Sequence, residues 1–135
     1  MLILQVRLLG LLLLLLAVAH AGFPRYFNWA GELRTLSLIN RQMMYIHTLF
    51  VALGVLLMGL LCLTSAPELV ATALGRRVCL GLGLFWLARL LVQFVGYSPA
   101  LWRGRRFETV VHVVFALLWA YLTVVFFVVA WGRAM

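Results

Sequence analysis

The feature that most constrains this chain is a series of apolar runs, each long enough to cross a bilayer and nearly empty of charge. A helical span needs ~20 predominantly apolar residues, and candidates occur at 2–21, 42–64, 76–97 and 107–131. Only helices and closed barrels satisfy their backbone within lipid, and these runs are too long for barrel strands of ~10 residues. The expected fold is therefore all-α, an integral membrane four-helix up-down bundle in which residues 1–135 form a single transmembrane domain. Composition agrees, since 67% of the residues are hydrophobic and 10% charged, against roughly half and a quarter in soluble domains. The four runs take up most of these residues and leave no room among them for a soluble catalytic fold or a βαβ motif. All 11 basic residues are Arg, set against 3 acidic residues, for a net charge of +8. A basic chain can bind nucleic acid, but these arginines punctuate apolar runs and form no single polar face. No nucleic-acid partner is expected.

The first run reads two ways. Leu8 to Ala19 follows Arg7 and ends in Ala19-His20-Ala21 before Gly22, the layout of a secretory signal peptide. The other reading, which we favour, is a retained first span or signal anchor over 2–21, with Arg7 reaching to the interface. Residues 22–41 mix Pro24, Asn28 and Gly31 with Phe23, Tyr26, Phe27 and Trp29, as an aromatic belt at the membrane surface does. From Glu32 on, Leu33, Leu36, Ile39 and Met43 recur at helical spacing. This predicts an amphipathic interfacial stretch over about 28–41 that leads straight into the second span. Gly75, Cys79 and Gly83, and likewise Ala116 and Ala120, have the small-residue spacing that lets helices approach closely, within the chain or across a homodimer.

An up-down order brings the start of the second span, the end of the third and the start of the fourth to one membrane face. Most intramembrane polar residues fall there: Tyr45 and His47, then Arg89, Gln93 and Tyr97 at i, i+4, i+8, then Glu108 and His112 at i, i+4. At ~1.5 Å per residue, His47 and His112 lie roughly 7 Å below their helix starts and Arg89 roughly 12 Å deep. Ionisable groups within spans are costly and mark candidate sites with a nearby partner. Glu108, the acidic residue beside a span, is the expected partner of Arg89.

Three classes of function fit this layer. The favoured one is a non-catalytic accessory or assembly subunit of a larger membrane complex, in which the Arg–Glu pair only sets helix register. The alternative is an intramembrane binder of a quinone, a lipid headgroup or another acceptor-rich ligand, with Arg, Gln and Tyr as donors and His able to exchange a proton. A less favoured form of it is a b-type haem with His47 and His112 as axial ligands; no other metal site is expected. The third class is a small dimeric proton-coupled transporter, whose site would sit nearer the midplane than this layer. Small multidrug transporters and vitamin K epoxide reductases also have four short spans, but no Glu stands in the first span here and Cys62 and Cys79 form no C-x-x-C. No nucleophile–base arrangement is visible, so the sequence leans away from an enzyme.

The expected location is an integral one, in a bacterial inner membrane. Arg25, Arg34, Arg41, Arg103, Arg105 and Arg106 lie on the side of the polar layer, and Arg7, Arg76, Arg77 and Arg133, together with the terminal amine of a retained chain, on the other. Such a balance does not fix orientation by the positive-inside rule. The signal-like start places the polar layer on the extracytoplasmic side.

Overall fold

The computed structural model describes residues 1–132, among which there is no strand. In chain order the helices are α1 (Leu2–Tyr26), α2 (Trp29–Glu32), α3 (Leu38–Thr64), α4 (Ala66–Ala71), α5 (Ala73–Val95) and α6 (Arg106–Trp131). Short 3-10 turns occupy Leu33–Thr35 and Pro99–Leu101. Helices α1, α3, α5 and α6 are each long and apolar enough to cross a membrane. The described residues are all-α, with four long apolar helices compatible with an integral membrane four-helix bundle.

Helix α1 runs past the expected end at 21. Pro24 lacks the N–H that would reach the His20 carbonyl, but Phe27 still donates to the Phe23 carbonyl at 3.0 Å and Asn28 to that of Arg25 at 3.1 Å. The helix stops at Asn28, whose φ of 49° lies in the left-handed region that Asn tolerates better than most residues. The amphipathic stretch expected to run unbroken into the second span is interrupted. After α2 and its 3-10 turn, Leu36 is extended (φ −78°, ψ 150°) and Ser37 starts α3 at φ −55°, ψ 153°. Thr35 and Ser37 are weak formers of helix interior, and Ser37 serves as the N-cap residue, its carbonyl accepting from Arg41 at 3.0 Å. The periodicity of Leu33, Leu36 and Ile39 is thus divided between two elements.

The described residues fall into two compact units. In the first, residues 6–66, α1 and α3 pack antiparallel across a glycine pair. A Cβ on Gly10 would lie 2.9 Å from the Gly59 carbonyl oxygen and 2.7 Å from Leu63 Cγ, and one on Gly59 would lie 3.0 Å from the Gly10 oxygen. Lipid tails are as apolar as leucine, so helices associate in lipid chiefly by packing, and a glycine pair gives the closest backbone approach. Leu9, Leu13, Leu16, Val55 and Cys62 are buried in this unit.

The second unit joins Met1–Gln5 to the described residues from Pro67 onward. Here α5 and α6 are antiparallel: Gly83 faces the Phe127 ring, Trp86 stacks on Trp119, and Gln93 reaches His112. Leu122, Phe126 and Val129 are buried. Gly75, Cys79 and Gly83 are buried too, Gly75 against the α4 backbone at Glu68 and Leu69 and Gly83 against α6. At its start, Gln5 accepts a hydrogen bond from the Tyr121 hydroxyl. Cys79 is buried in this unit, as Cys62 is in the other.

The glycine pair predicts opposite outcomes for two alanine substitutions. Gly10→Ala drives a methyl into the Gly59 backbone and should cost about 1–3 kcal/mol, as overpacking does. Nothing lies within 4 Å of a Cβ at Gly54, so Gly54→Ala should stabilise by about 0.5–1 kcal/mol through helix propensity. Denaturant titration of the detergent-solubilised protein, followed by circular dichroism, checks both signs.

Candidate functional site

The end of α5, the turn that follows it and the start of α6 hold a connected set of polar side chains, with Arg89 and Gln93 one turn apart on α5 and Tyr97 just past its end. Arg89 Nη1 donates to Gln93 Oε1 at 3.4 Å and Nη2 to the Tyr97 hydroxyl at 3.4 Å. Gln93, only 5% exposed, also accepts from the Trp119 indole at 3.3 Å and meets His112 Nδ1 through Nε2 at 2.8 Å. Guanidinium and indole groups can only donate, so the shared acceptor must be the amide oxygen. That leaves the amide nitrogen to donate to His112, which accepts on Nδ1 and carries its proton on Nε2. Every polar atom of the Gln93 amide is engaged by the chain itself.

Aromatic rings surround this amide. The Arg89 guanidinium carbon lies 5.0 Å from the Trp119 ring centroid and 5.6 Å from that of Tyr97, within cation–π range. Trp102 stacks on His112 at 4.0 Å and 16°, and Phe94 meets the same ring edge-on at 6.0 Å. The loop between α5 and α6 delivers Trp102 to this place. Ser98 Oγ accepts from the Ala100 amide, the Thr109 hydroxyl reaches the carbonyls of Trp102 and Arg105, both at 2.7 Å, and Gly104 turns the chain at φ 78°, a conformation that suits glycine. Deeper in, Trp119 stacks on Trp86 at 5.1 Å and 13°. Trp86 Nε1 is the one buried side-chain nitrogen or oxygen without a hydrogen-bond partner among the described residues.

The structure thus brings Arg89, Gln93, Tyr97 and His112 together but corrects the partner expected for Arg89. Glu108 lies 4.0 Å from Arg105, one turn away on α6, with both side chains well exposed at 45% and 65%. The reason is register. Arg89 is level with Trp119, which stands roughly 16 Å along α6 from Glu108 at the usual rise per residue. This is the only ion pair among the described residues, and exposed pairs of its kind contribute ~0–1 kcal/mol.

His47 and Tyr45 belong to the other unit. His47 is exposed, its Nδ1 2.8 Å from the Met43 carbonyl oxygen. Tyr45 meets Trp29 edge-on at 5.5 Å, and the two line a shallow cleft of about 200 Å³ with His20, Thr48 and Pro24. Two of the polar atoms there are engaged locally, His20 Nδ1 with the Leu16 carbonyl and the Thr48 hydroxyl with that of Met44. Neither His47 nor His112 lines this cleft or the notch at the other end of α5. Trp102 and Phe94 crowd His112, so its surroundings offer a porphyrin little room. No group of three or more His, Cys, Asp or Glu residues able to hold a metal exists among the described residues.

Sequence reasoning missed Trp102, Trp86 and Trp29 as parts of these clusters. Trp119 lies seven residues from His112, a spacing that puts both on one helix face. The chain matches no family model, and no curated protein or solved structure is detectably similar to it.

The hydrogen-bond assignment separates two conservative substitutions. Trp119→Phe keeps a ring in the stack but removes a donor to buried Gln93, and should cost about 1 kcal/mol. Trp86→Phe removes an N–H that has no acceptor and should be neutral or stabilising. Equal losses in a detergent unfolding titration would contradict the assignment.

Proposed function

We propose that this chain is a non-catalytic accessory or assembly subunit of a larger membrane complex. The engagement of the Gln93 amide by the chain's own side chains carries the reading. Its oxygen is taken by Arg89 and Trp119 and its nitrogen donates to His112, so the most buried polar group of the cluster keeps a single amide N–H uncommitted. Its evident work is to fasten α5 to α6 in one register, as buried polar networks can do. Nucleophile–base pairs and metal-ligand groups, the usual means of catalysis, are not among the contacts that these residues make. The long apolar helices, with much of their surface exposed, are then available to a larger partner as well as to lipid.

One observation favours a second reading. Arg89 is a half-buried cation whose partners are an amide, a phenol and two π faces, with no carboxylate among them. Neutral partners orient a guanidinium without cancelling its charge, so Arg89 and Tyr97 remain able to hold an acceptor-rich group such as a quinone carbonyl or a lipid phosphate. On either reading Arg89 is the residue whose loss matters. The inner membrane of a bacterium, with the Arg89 end of α5 on the extracytoplasmic side, is the location we propose.

Three measurements follow. Protein purified in mild detergent should show no haem absorbance and no stoichiometric quinone on organic extraction, and a stoichiometric quinone would replace the first reading with the second. Co-purification with native partners should fall at least tenfold for Arg89→Leu and stay near wild type for Arg103→Leu and Arg105→Leu, because the loop arginines are solvated and individually replaceable. Equal effects of all three would point to diffuse surface charge. Alkaline phosphatase fused after Met135 should be inactive, since that enzyme needs the oxidising outer compartment; activity would reverse the orientation.

A further inference from the structure

At the end of the α5–α6 pair away from Arg89, the first turns of α5 and the last turn of α6 enclose a notch of about 250 Å³ lined by Ala73, Arg76, Arg77, Leu80, Ala130 and Trp131. We propose that this notch binds an anionic phospholipid, with its phosphate between Arg76 and Arg77 and its glycerol and upper acyl chain along Trp131 and Leu80.

Charge is the first support. Adjacent arginines repel each other, yet neither has a carboxylate partner among the described residues, where the sole ion pair is that of Arg105 with Glu108. Arg76 makes one side-chain hydrogen bond, from Nη1 to the Ala71 carbonyl at 3.3 Å. Arg77 makes none among the described residues and is exposed. Most of the donor hydrogens of two guanidinium forks are therefore unspent at the mouth of one cavity, and a phosphate is the group that such forks match in geometry and charge.

The walls distinguish a lipid from a free anion. Ala73, Leu80 and Ala130 are apolar, and Trp131, 69% exposed, is the residue type that sits at the headgroup level of a bilayer. One turn further along α5, Leu84 is exposed as well, so the apolar track that begins at Leu80 continues in the direction an acyl chain would take. A free phosphate would use the arginines and ignore this track, whereas a phospholipid uses both. The volume suits a phosphate and its glycerol, leaving the tails on the helix surface.

The test uses the full chain in phosphatidylcholine vesicles doped with either brominated phosphatidylglycerol or brominated phosphatidylcholine, with tryptophan quenching as the readout. Quenching should be stronger for the glycerol lipid, and Trp131→Phe should remove that excess. Arg76→Gln/Arg77→Gln should weaken the preference on the order of 30-fold, taking each arginine at the usual strength of a basic residue near an anionic surface. Arg103→Gln/Arg105→Gln should leave it intact. An excess that survives in the Arg76/Arg77 variant, or that is lost equally in the Arg103/Arg105 variant, would overturn the site in favour of diffuse attraction. Competition by inorganic phosphate would overturn the lipid assignment. Unchanged circular dichroism of the variants keeps folding out of the comparison.

Discussion

In hydrocarbon a backbone amide has no water to turn to, so every segment that crosses must close its own hydrogen bonds. That constraint makes each apolar run a helix before any tertiary contact forms, and it removes the hydrophobic effect as the force that joins one helix to another. What remains is packing and a few polar contacts. The two helical pairs use these in different proportions. In α1 and α3 the seam is Gly10 against Gly59, where backbone approaches backbone and dispersion acts at short range. In α5 and α6 the seam combines Gly83 beneath Phe127 with a tryptophan stack and the Gln93 amide.

Gln93 shows how a polar group becomes tolerable in such a seam. Burying an amide without partners costs about 1–3 kcal/mol by protein mutational data, and here two donor-only side chains and one imidazole engage both polar atoms of the amide. Because Arg89 and Trp119 cannot accept, they fix the amide's orientation, and the amide in turn fixes the tautomer of His112. Each assignment follows from the one before it, so a shift of α6 by one residue would break several bonds together. Polar contacts with that property specify register, which the apolar faces of these helices, rich in interchangeable Leu, Val and Phe, cannot do alone.

The helices were legible in the sequence because a long apolar run admits one structure in lipid. Their ends were less so. The first span was expected to end at 21, with Pro24 in the belt beyond it, but α1 continues through Pro24, since a single lost bond does not outweigh those accepted by the Phe23 and Arg25 carbonyls on either side. Within the site, the i, i+4, i+8 stripe of Arg89, Gln93 and Tyr97 was readable from spacing alone, and it is hydrogen-bonded as a stripe. The partner of Arg89 was not. Charge complementarity nominated Glu108, whereas the register of α6, which no single-helix pattern encodes, puts Trp119 beside Arg89 and leaves Glu108 to Arg105. The tryptophans were hard to place for a related reason: in a span, an aromatic side chain suits a lipid-facing surface, an interface or a seam equally well, and only the neighbouring helix decides which.

The charge balance has a structural consequence of its own. With 11 arginines and 3 acidic residues, the chain cannot neutralise itself, and its cations must be accommodated in other ways. Arg89 is held by neutral dipoles and ring faces, which stabilise a cation while leaving its field in place. Among the described residues, Arg76 and Arg77 are held by one hydrogen bond, from Arg76 to the Ala71 carbonyl. The α5–α6 pair therefore carries uncompensated positive charge near both its ends, separated by a stretch of leucine, phenylalanine and tryptophan. In a bilayer, phosphates lie at both ends of such a pair, so lipid can provide the counterions that the sequence omits. An acidic partner subunit would do so only where its own carboxylates reach the same level. This is why the two ends need separate experiments: the Arg89 end is already organised by the chain's own side chains, whereas the Arg76 end has donors, a cavity and an apolar track but no carboxylate partner among the described residues.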